Sequence, residues 1–211
     1  TPGDPLNPPA PGAVLKYLKA YNHGILEAGT HTDPVVHDTE QVFFYILGGE
    51  GVVQSGVRRE ALREGSGVFV PAGVEYAFVN TGEEALHTVI IVEEITDDFT
   101  PLTEIKVGNY HDRPVADIGM HWVNTWYTIV PDVKFCNPMG LGIVTVPPQE
   151  LQQPHVHNPG TEEIWCKTQG DCLIMFGKVL RWHREGEAYL VPPTGKDPHM
   201  AINHTDQPTQ W

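Results

Sequence analysis

The feature that most constrains the fold is a repeat. Gly65 opens "GSGVFVPAGVEYAFVN" and Gly186 opens "GEAYLVPPTGKDPHMAIN", 121 residues apart, and the same offset joins Pro71 to Pro192 and Gly49 to Gly170. Asn80 and Asn203 stand 123 apart, which places a two-residue insertion before the second Asn. Each Gly or Pro imposes a backbone geometry that other residues resist, so a match at this many turn positions marks a duplicated unit. The copies run over residues 25–96 and 115–211. Residues 97–114 read as a connector, parts of which can pair as strands. Residues 1–24 form a Pro-rich arm that ends on "AVLKYLKAY", a short helix or an edge strand.

Both copies read as all-β. The chain's 21 Gly and 19 Pro are spread between short β-branched and aromatic runs such as "VFFYIL" and "HTVIIVEE", the pattern of many short strands joined by tight turns. Each unit runs strand, Gly turn, strand, short loop ("QSGVRRE" or "FGKVLRW"), then a strand ending in Pro. Antiparallel strands that close on themselves lose their edges, so each unit is expected to form a small barrel whose mouth holds a small ligand.

Charge narrows the partners. The formal net charge of −14 repels phosphate backbones and anionic lipid, and no Lys/Arg stripe overrides it, so neither nucleic acid nor membrane is expected as a partner. No apolar run approaches the ~20 residues of a spanning helix, and the opening segment lacks a signal-peptide pattern. Cys136, Cys166 and Cys172 are odd in number and without CxxC spacing, which points to free thiols and a cytoplasmic location. Cys166 and Cys172 lie on adjacent segments and are the pair that would bridge in an oxidising compartment.

Ligand chemistry concentrates in "QQPHVHNPGTEEIWCKTQGD", residues 152–171. On a strand, i and i+2 point to the same side, so His155 and His157 project together. The pair Glu162 and Glu163 follows, and "GKDPHMAIN" brings His199 from the other half of the unit. Three imidazoles and one carboxylate surround a divalent metal while leaving positions open for water or substrate.

In these segments the chain resembles the cupin superfamily. "HVHNPGTEEIWCKTQG" is similar to its first motif, HxH followed by Glu and Gly, and residues 186–203 to its second, Gly-x5-Pro-x-Gly-x2-His-x3-Asn. The resemblance covers all but the arm and connector. It implies two tandem cupin barrels, each a jelly-roll-like double-stranded β-helix, and carries over His155, His157 and His199 as ligands of one divalent transition metal per chain: Fe, Mn, Ni, Zn or Cu. The sequence departs from the pattern in three places. The Gly six residues before HxH is absent, the second motif has one extra residue between Gly and His, and the spacing to the acid is ambiguous. Counting from His157 favours Glu162, counting back from Gly170 favours Glu163. Strand register up to the turn selects Glu163 as the ligand and leaves Glu162 as a catalytic candidate.

The first copy has lost this set. Val35 replaces the first histidine, Val42 stands at the offset of Glu163, and Tyr76 takes the place of His199, leaving His37 beside Glu40 and Gln41. That unit reads as a structural partner, with a site built from His31, His37 and Glu40 as the minority alternative. Lys167, on the face of Glu163 and Trp165, either clamps an anionic substrate or snorkels to solvent. Trp165 and Phe44 occupy matching positions and read as core wall. His183 reads as a solvated loop histidine. His121, Trp122, Trp126 and Tyr127 read as wall, with a catalytic role for His121 or Tyr127 as the alternative.

Cupins of this kind include sugar isomerases, lyases, decarboxylases, dioxygenases and binding proteins. The leading expectation is a metal-dependent enzyme acting on a small oxygen-rich acid or sugar derivative, with the metal as Lewis acid in an isomerisation or elimination. A ring- or diol-cleaving dioxygenase is the first alternative and a non-catalytic ligand-binding bicupin the second. The arm and the ligand-free first unit point to a homodimer.

Overall fold

The computed structural model describes residues 1–116, 123–137 and 140–211. Among these the regular structure is all strand, apart from one 3-10 turn at Tyr110–Asp112. They divide into two compact units.

Unit 1 comprises Thr1–Pro2, Leu15–Arg113 and Ile129–Leu141. One antiparallel sheet has the order β1 (Ala20–Leu26), β7 (Leu86–Glu94), β2 (Glu40–Gly48), β5 (Ser66–Val70), β8 (Lys106–Asn109), and a second the order β4 (Arg58–Leu62), β3 (Gly51–Ser55), β6 (Ala77–Asn80). Val42, Phe44 and Ile46 of β2 share one buried cluster with Val53, Leu62, Val68 and Phe78. The other face of β2 is covered too. Phe43 lies against the same small position, Gly67, as Ile129 and Val130, and Phe69 of β5 meets Phe135 edge-on at 5.2 Å. Burial on both faces is why "VFFYIL" is a continuous apolar run rather than an alternating one. Buried Glu93 fastens this cover, accepting hydrogen bonds from Gln41 Nε2 (2.6 Å), the Cys136 amide (2.9 Å) and the Asn137 amide (2.6 Å).

Unit 2 comprises Gly3–Val14, Pro114–Thr128 and Gly142–Trp211. Its sheets are β16 (Thr209–Gln210), β10 (Gly142–Val146), β9 (Thr125–Thr128); β11 (Glu163–Cys166) with β14 (Ala188–Val191); and β13 (Val179–His183), β12 (Cys172–Phe176), β15 (His199–Ile202). Its core contains Val144, Val146, Trp165, Cys172, Ile174, Ala201 and Trp211.

The repeat survives as geometry. Gly65 and Gly186 both hold φ at +81°, and Gly49 and Gly170 hold +87° and +64°, a left-handed region that only Gly enters freely. Asn80 and Asn203 perform one task twice. Asn80 Nδ2 donates to Leu26 O and Glu84 O, and Asn203 Nδ2 to Pro147 O and Gln207 O, while each Oδ1 accepts the amide two residues on. Val35 and Tyr76 exchange backbone hydrogen bonds in unit 1 as His155 and His199 do in unit 2. The match confirms the register by which the lost ligands were aligned.

Boundaries differ from the sequence reading. "AVLKYLKAY" forms no helix: Ala13 and Leu15 are buried, and the strand begins only at Ala20. Within the connector one part pairs as a strand, as expected: Lys106–Asn109 extends the unit 1 sheet beside β5. Gly3–Val14 of the arm clusters with unit 2. His121 and Trp122 lie outside the described residues. Tyr127 sits on β9 opposite Ile143, and Trp126 packs on the unit 2 core. No disulfide joins Cys136, Cys166 or Cys172.

Candidate metal centre

The residues that bear on the centre come from three segments of unit 2. His155 and His199 face each other across an isolated antiparallel bridge, with N to O distances of 3.2 and 3.0 Å. His157 follows two residues on, and Glu163 opens β11, paired with Val191 of β14. The imidazole centroids are 4.4 Å apart for His155 and His199, 5.0 Å for His157 and His199, and 5.2 Å for His155 and His157. One ligand nitrogen from each lies within 4.8 Å of the others, the only such group of three among the described residues.

Backbone carbonyls aim two of the rings. His155 Nδ1 lies 3.1 Å from Gln153 O, and His199 Nδ1 lies 3.0 Å from Asp197 O. A carbonyl only accepts, so each Nδ1 carries the proton and each Nε2 keeps its lone pair for the centre. This is the support that a metal-binding imidazole requires. Both acceptors stand two residues before the histidine across a proline, in "QPH" and "DPH". Proline holds φ near −65° and keeps the preceding residue extended, which presents that carbonyl to the ring. The repeated X-Pro-His was legible in the sequence and passed unread.

Glu163 supplies the fourth group. Its Oε2 is 2.8 Å from His157 Nε2 and 3.1 Å from His199 Nε2. The His199 contact is an ion-pair distance without hydrogen-bond geometry, so the buried Nε2 has no hydrogen-bond partner. An orphaned nitrogen beside a carboxylate oxygen and two further imidazoles is the donor set of a divalent metal. Burial alone would raise the Glu163 carboxyl, but the hydrogen bond with His157 and the nearness of the His157 and His199 imidazoles outweigh it and hold the group well below the usual carboxylate range. Hydrogen bonding to Glu163 raises His157 in return, against the opposing effect of burial. Trp165 meets His199 edge-on at 5.5 Å and Phe176 stacks on it at 6.3 Å, giving the centre an aromatic flank. Phe176 was not singled out in the sequence; its place one residue before a Gly turn carries no ligand signal.

The other site candidates lie elsewhere. Glu162 precedes β11, at the repeat position of Gln41, whose side chain turns to Glu93 rather than to the unit 1 core. The carboxylate that touches the imidazoles is Glu163. Lys167 neither clamps at a mouth nor reaches solvent: it is 1% exposed, with Nζ bonded to Thr209 Oγ1, 3.2 Å from Cys172 Sγ and 5.3 Å above the Trp211 ring. Burial pushes its amine down, partly opposed by Cys172. His183 is 0% exposed rather than solvated, because it closes β13 opposite Cys172 and points inward. Burial, then the charge of Lys167, lowers it to about 4.

In unit 1 the corresponding positions assemble no ligand set. His37 Nε2 meets Tyr76 Oη at 3.3 Å, Glu40 is engaged by Lys19, and His31 bridges Val79. Burial and Glu40 raise the Tyr76 phenol to about 12, so it stays protonated.

Residues 22–92 match the family model described as "Cupin domain". An uncharacterised protein of Streptomyces coelicolor is 31% identical over 77 residues, which cover 35% of this chain and 72% of that protein. Among solved structures, oxalate decarboxylase of Bacillus subtilis, studied for its Mn(II) centres, aligns with a TM-score of 0.68 and 14% identity over 92% of this chain and 67% of its own. A glyoxylate-induced protein of Pseudomonas aeruginosa gives 0.69 and 15% over 93% and 79%, and AerE of Microcystis aeruginosa 0.66 and 17% over 90% and 83%. These likenesses establish a cupin-like, jelly-roll fold, and a divalent metal fits the three-histidine group. Through the domain at residues 22–92, the chain belongs to the cupin superfamily.

Proposed function

We propose that the chain is a metal-dependent bicupin enzyme acting on a small oxygen-rich acid or sugar derivative, in an isomerase- or lyase-type reaction. One observation carries this reading: the Nε2 atoms of His155, His157 and His199 and the carboxylate of Glu163 face a common centre. These four residues would hold one divalent transition metal. Such an ion, when bound, stabilises charge developing on a substrate oxygen. The chain's own residues do the remaining work. Gln153 O and Asp197 O fix the rings, and Trp165 and Phe176 exclude water beside His199. Lys167 takes no part, being engaged in the interior. Support for an acid as substrate comes from two structural neighbours named for oxalate and glyoxylate, both small acids whose adjacent oxygens chelate metals.

The aromatic flank of His199 favours a second reading, a dioxygenase that admits an apolar diol. Elemental analysis of protein purified without added metal, followed by assay of each metal-loaded form, separates the two. The first predicts one equivalent of metal, lost in His155→Ala, and turnover of a keto acid, hydroxy acid or uronate. Oxygen uptake with a catechol selects the second. Binding of the acids without turnover identifies a non-catalytic cupin, and a wild-type protein that takes up no transition metal ends both enzymatic readings.

A further inference from the structure

The outer face of the β13-β12-β15 sheet is apolar. Leu180 and Trp182 of β13 pair with Met175 and Leu173 of β12, which pair in turn with Met200 and Ile202 of β15, and Ile202 bridges Leu151. Partners directly across a ladder share a face, so all seven side chains lie on one side of the sheet, with Met200 buried and Leu173, Met175 and Ile202 half-buried among the exposed three. Opposite it, Cys172, Ile174 and Ala201 fill the unit 2 core. On the outer surface Leu180 is 59% exposed, Leu151 53% and Trp182 46%.

The same surface in unit 1 is different. There the corresponding residues are Arg59 and Ala61 of β4, Gln54 and Val52 of β3, Ala77 and Val79 of β6, and His31 bridged to Val79. One copy of the repeat carries Arg, Gln, His and two Ala beside two Val where the other carries Leu, Trp, Met and Ile. The apolar character is therefore no requirement of the fold.

We infer that this face of unit 2 is the contact surface for a second copy of the chain, related by a twofold axis. Area and charge both select that occupant. With ~150–250 Å² for a fully exposed large side chain, the patch offers on the order of 400 Å² of apolar surface. A standard interface takes about 800 Å² per partner, a little over half of it apolar, so the patch supplies one side of such a contact. The charges at its two ends are opposite. Exposed Lys178 and Lys196 stand at the end where Phe176 pairs with Val179 and His199, while Asp197 there is engaged by Thr194. Asp171, Glu185 and Asp206 are exposed at the other end, where Cys172 pairs with His183 and Leu173 with Ile202. Glu185 there accepts the Gly170 amide and Asp171 the Glu185 amide, and with Arg184 as the exposed cation beside them the three carboxylates leave that end acidic. A twofold axis through the patch lays the basic end of each copy on the acidic end of the other, which offsets the repulsion between two chains of net charge −14.

Light scattering on the full chain during size exclusion, across the micromolar range, tests the inference. The wild type is expected to run as a dimer. Leu180→Glu and Trp182→Glu, both at exposed positions, weaken it by at least about tenfold while circular dichroism and metal content stay unchanged. Lys178→Glu weakens it as well, and adding Glu185→Lys restores it. A wild type that stays monomeric overturns the inference, and so does a dimer indifferent to Leu180→Glu in a folded variant. The wild-type measurement decides even if a variant fails to fold.

Discussion

At the scale of single residues, the repeat assigns side chains to the interior. Lys167 stands at the offset of Ile46 and His183 at that of Leu62, both core positions in unit 1. A side chain at a core position is buried whatever its polarity, so its interior place was legible while its partners, Thr209, Cys172 and Trp211, were not: they come together only through the fold. Glu163 was legible for the same reason, since Val42 pairs with Val70 as Glu163 pairs with Val191. Replacing Glu163 by Ala should weaken metal binding by at least about 100-fold, whereas Glu162→Ala should leave it within a few-fold of wild type. Isothermal titration measures both, and equal losses would remove the distinction between the two acids. His183 supplies a pH dependence. An unfolded imidazole titrates near ~6.5, but folding lowers His183 to about 4. Between those values the unfolded chain binds more protons, so the contribution to stability is whole above about 6.5 and declines as pH falls through about 4. At most about 3 kcal/mol is involved. In metal-free protein, His183→Leu should flatten the fall in unfolding free energy between pH 7 and pH 4, measured by urea titration; an unchanged slope would assign the acid sensitivity elsewhere.

At the scale of elements, turn chemistry was the strongest signal and chain ends the weakest. Gly65 and Gly186 share a conformation but not surroundings. A Cβ on Gly65 would stand 2.8 Å from the Tyr110 and His111 rings of the 3-10 turn, while one on Gly186 would meet nothing within 4 Å. Gly186→Ala therefore tests the backbone conformation alone, at about 1–2 kcal/mol. Gly65→Ala adds the displacement of packed rings and should cost at least about 1–3 kcal/mol more. Thermal unfolding of the two variants reads the difference, and equal costs would mean that the turn at Tyr110 yields freely. "AVLKYLKAY" was not resolved by periodicity because Ala13 and Leu15 are buried without belonging to a regular strand, and no local pattern announces such burial.

At the scale of the whole molecule, the family match and the histidine cluster fall on different copies: residues 22–92 carry the cupin signal, and residues 155–199 carry the candidate ligands. Val35, Val42 and Tyr76 occupy unit 1 positions that His155, Glu163 and His199 hold in unit 2, so one backbone plan serves an apolar interior in one copy and a polar centre in the other. Stabilisation by metal should therefore be local. An ion bound only by the folded protein contributes about 4 kcal/mol at a free concentration a thousandfold above its Kd, acting on the elements whose opening releases it. Hydrogen exchange with and without a chelator resolves this by segment. Metal removal should speed exchange in β11 and β15, which carry Glu163 and His199, and in residues 153–157, while β2 and β5 of unit 1 keep their protection. Equal acceleration in both units would mean that the ion supports the chain as a single cooperative body, and the separation of roles between the two copies would not stand.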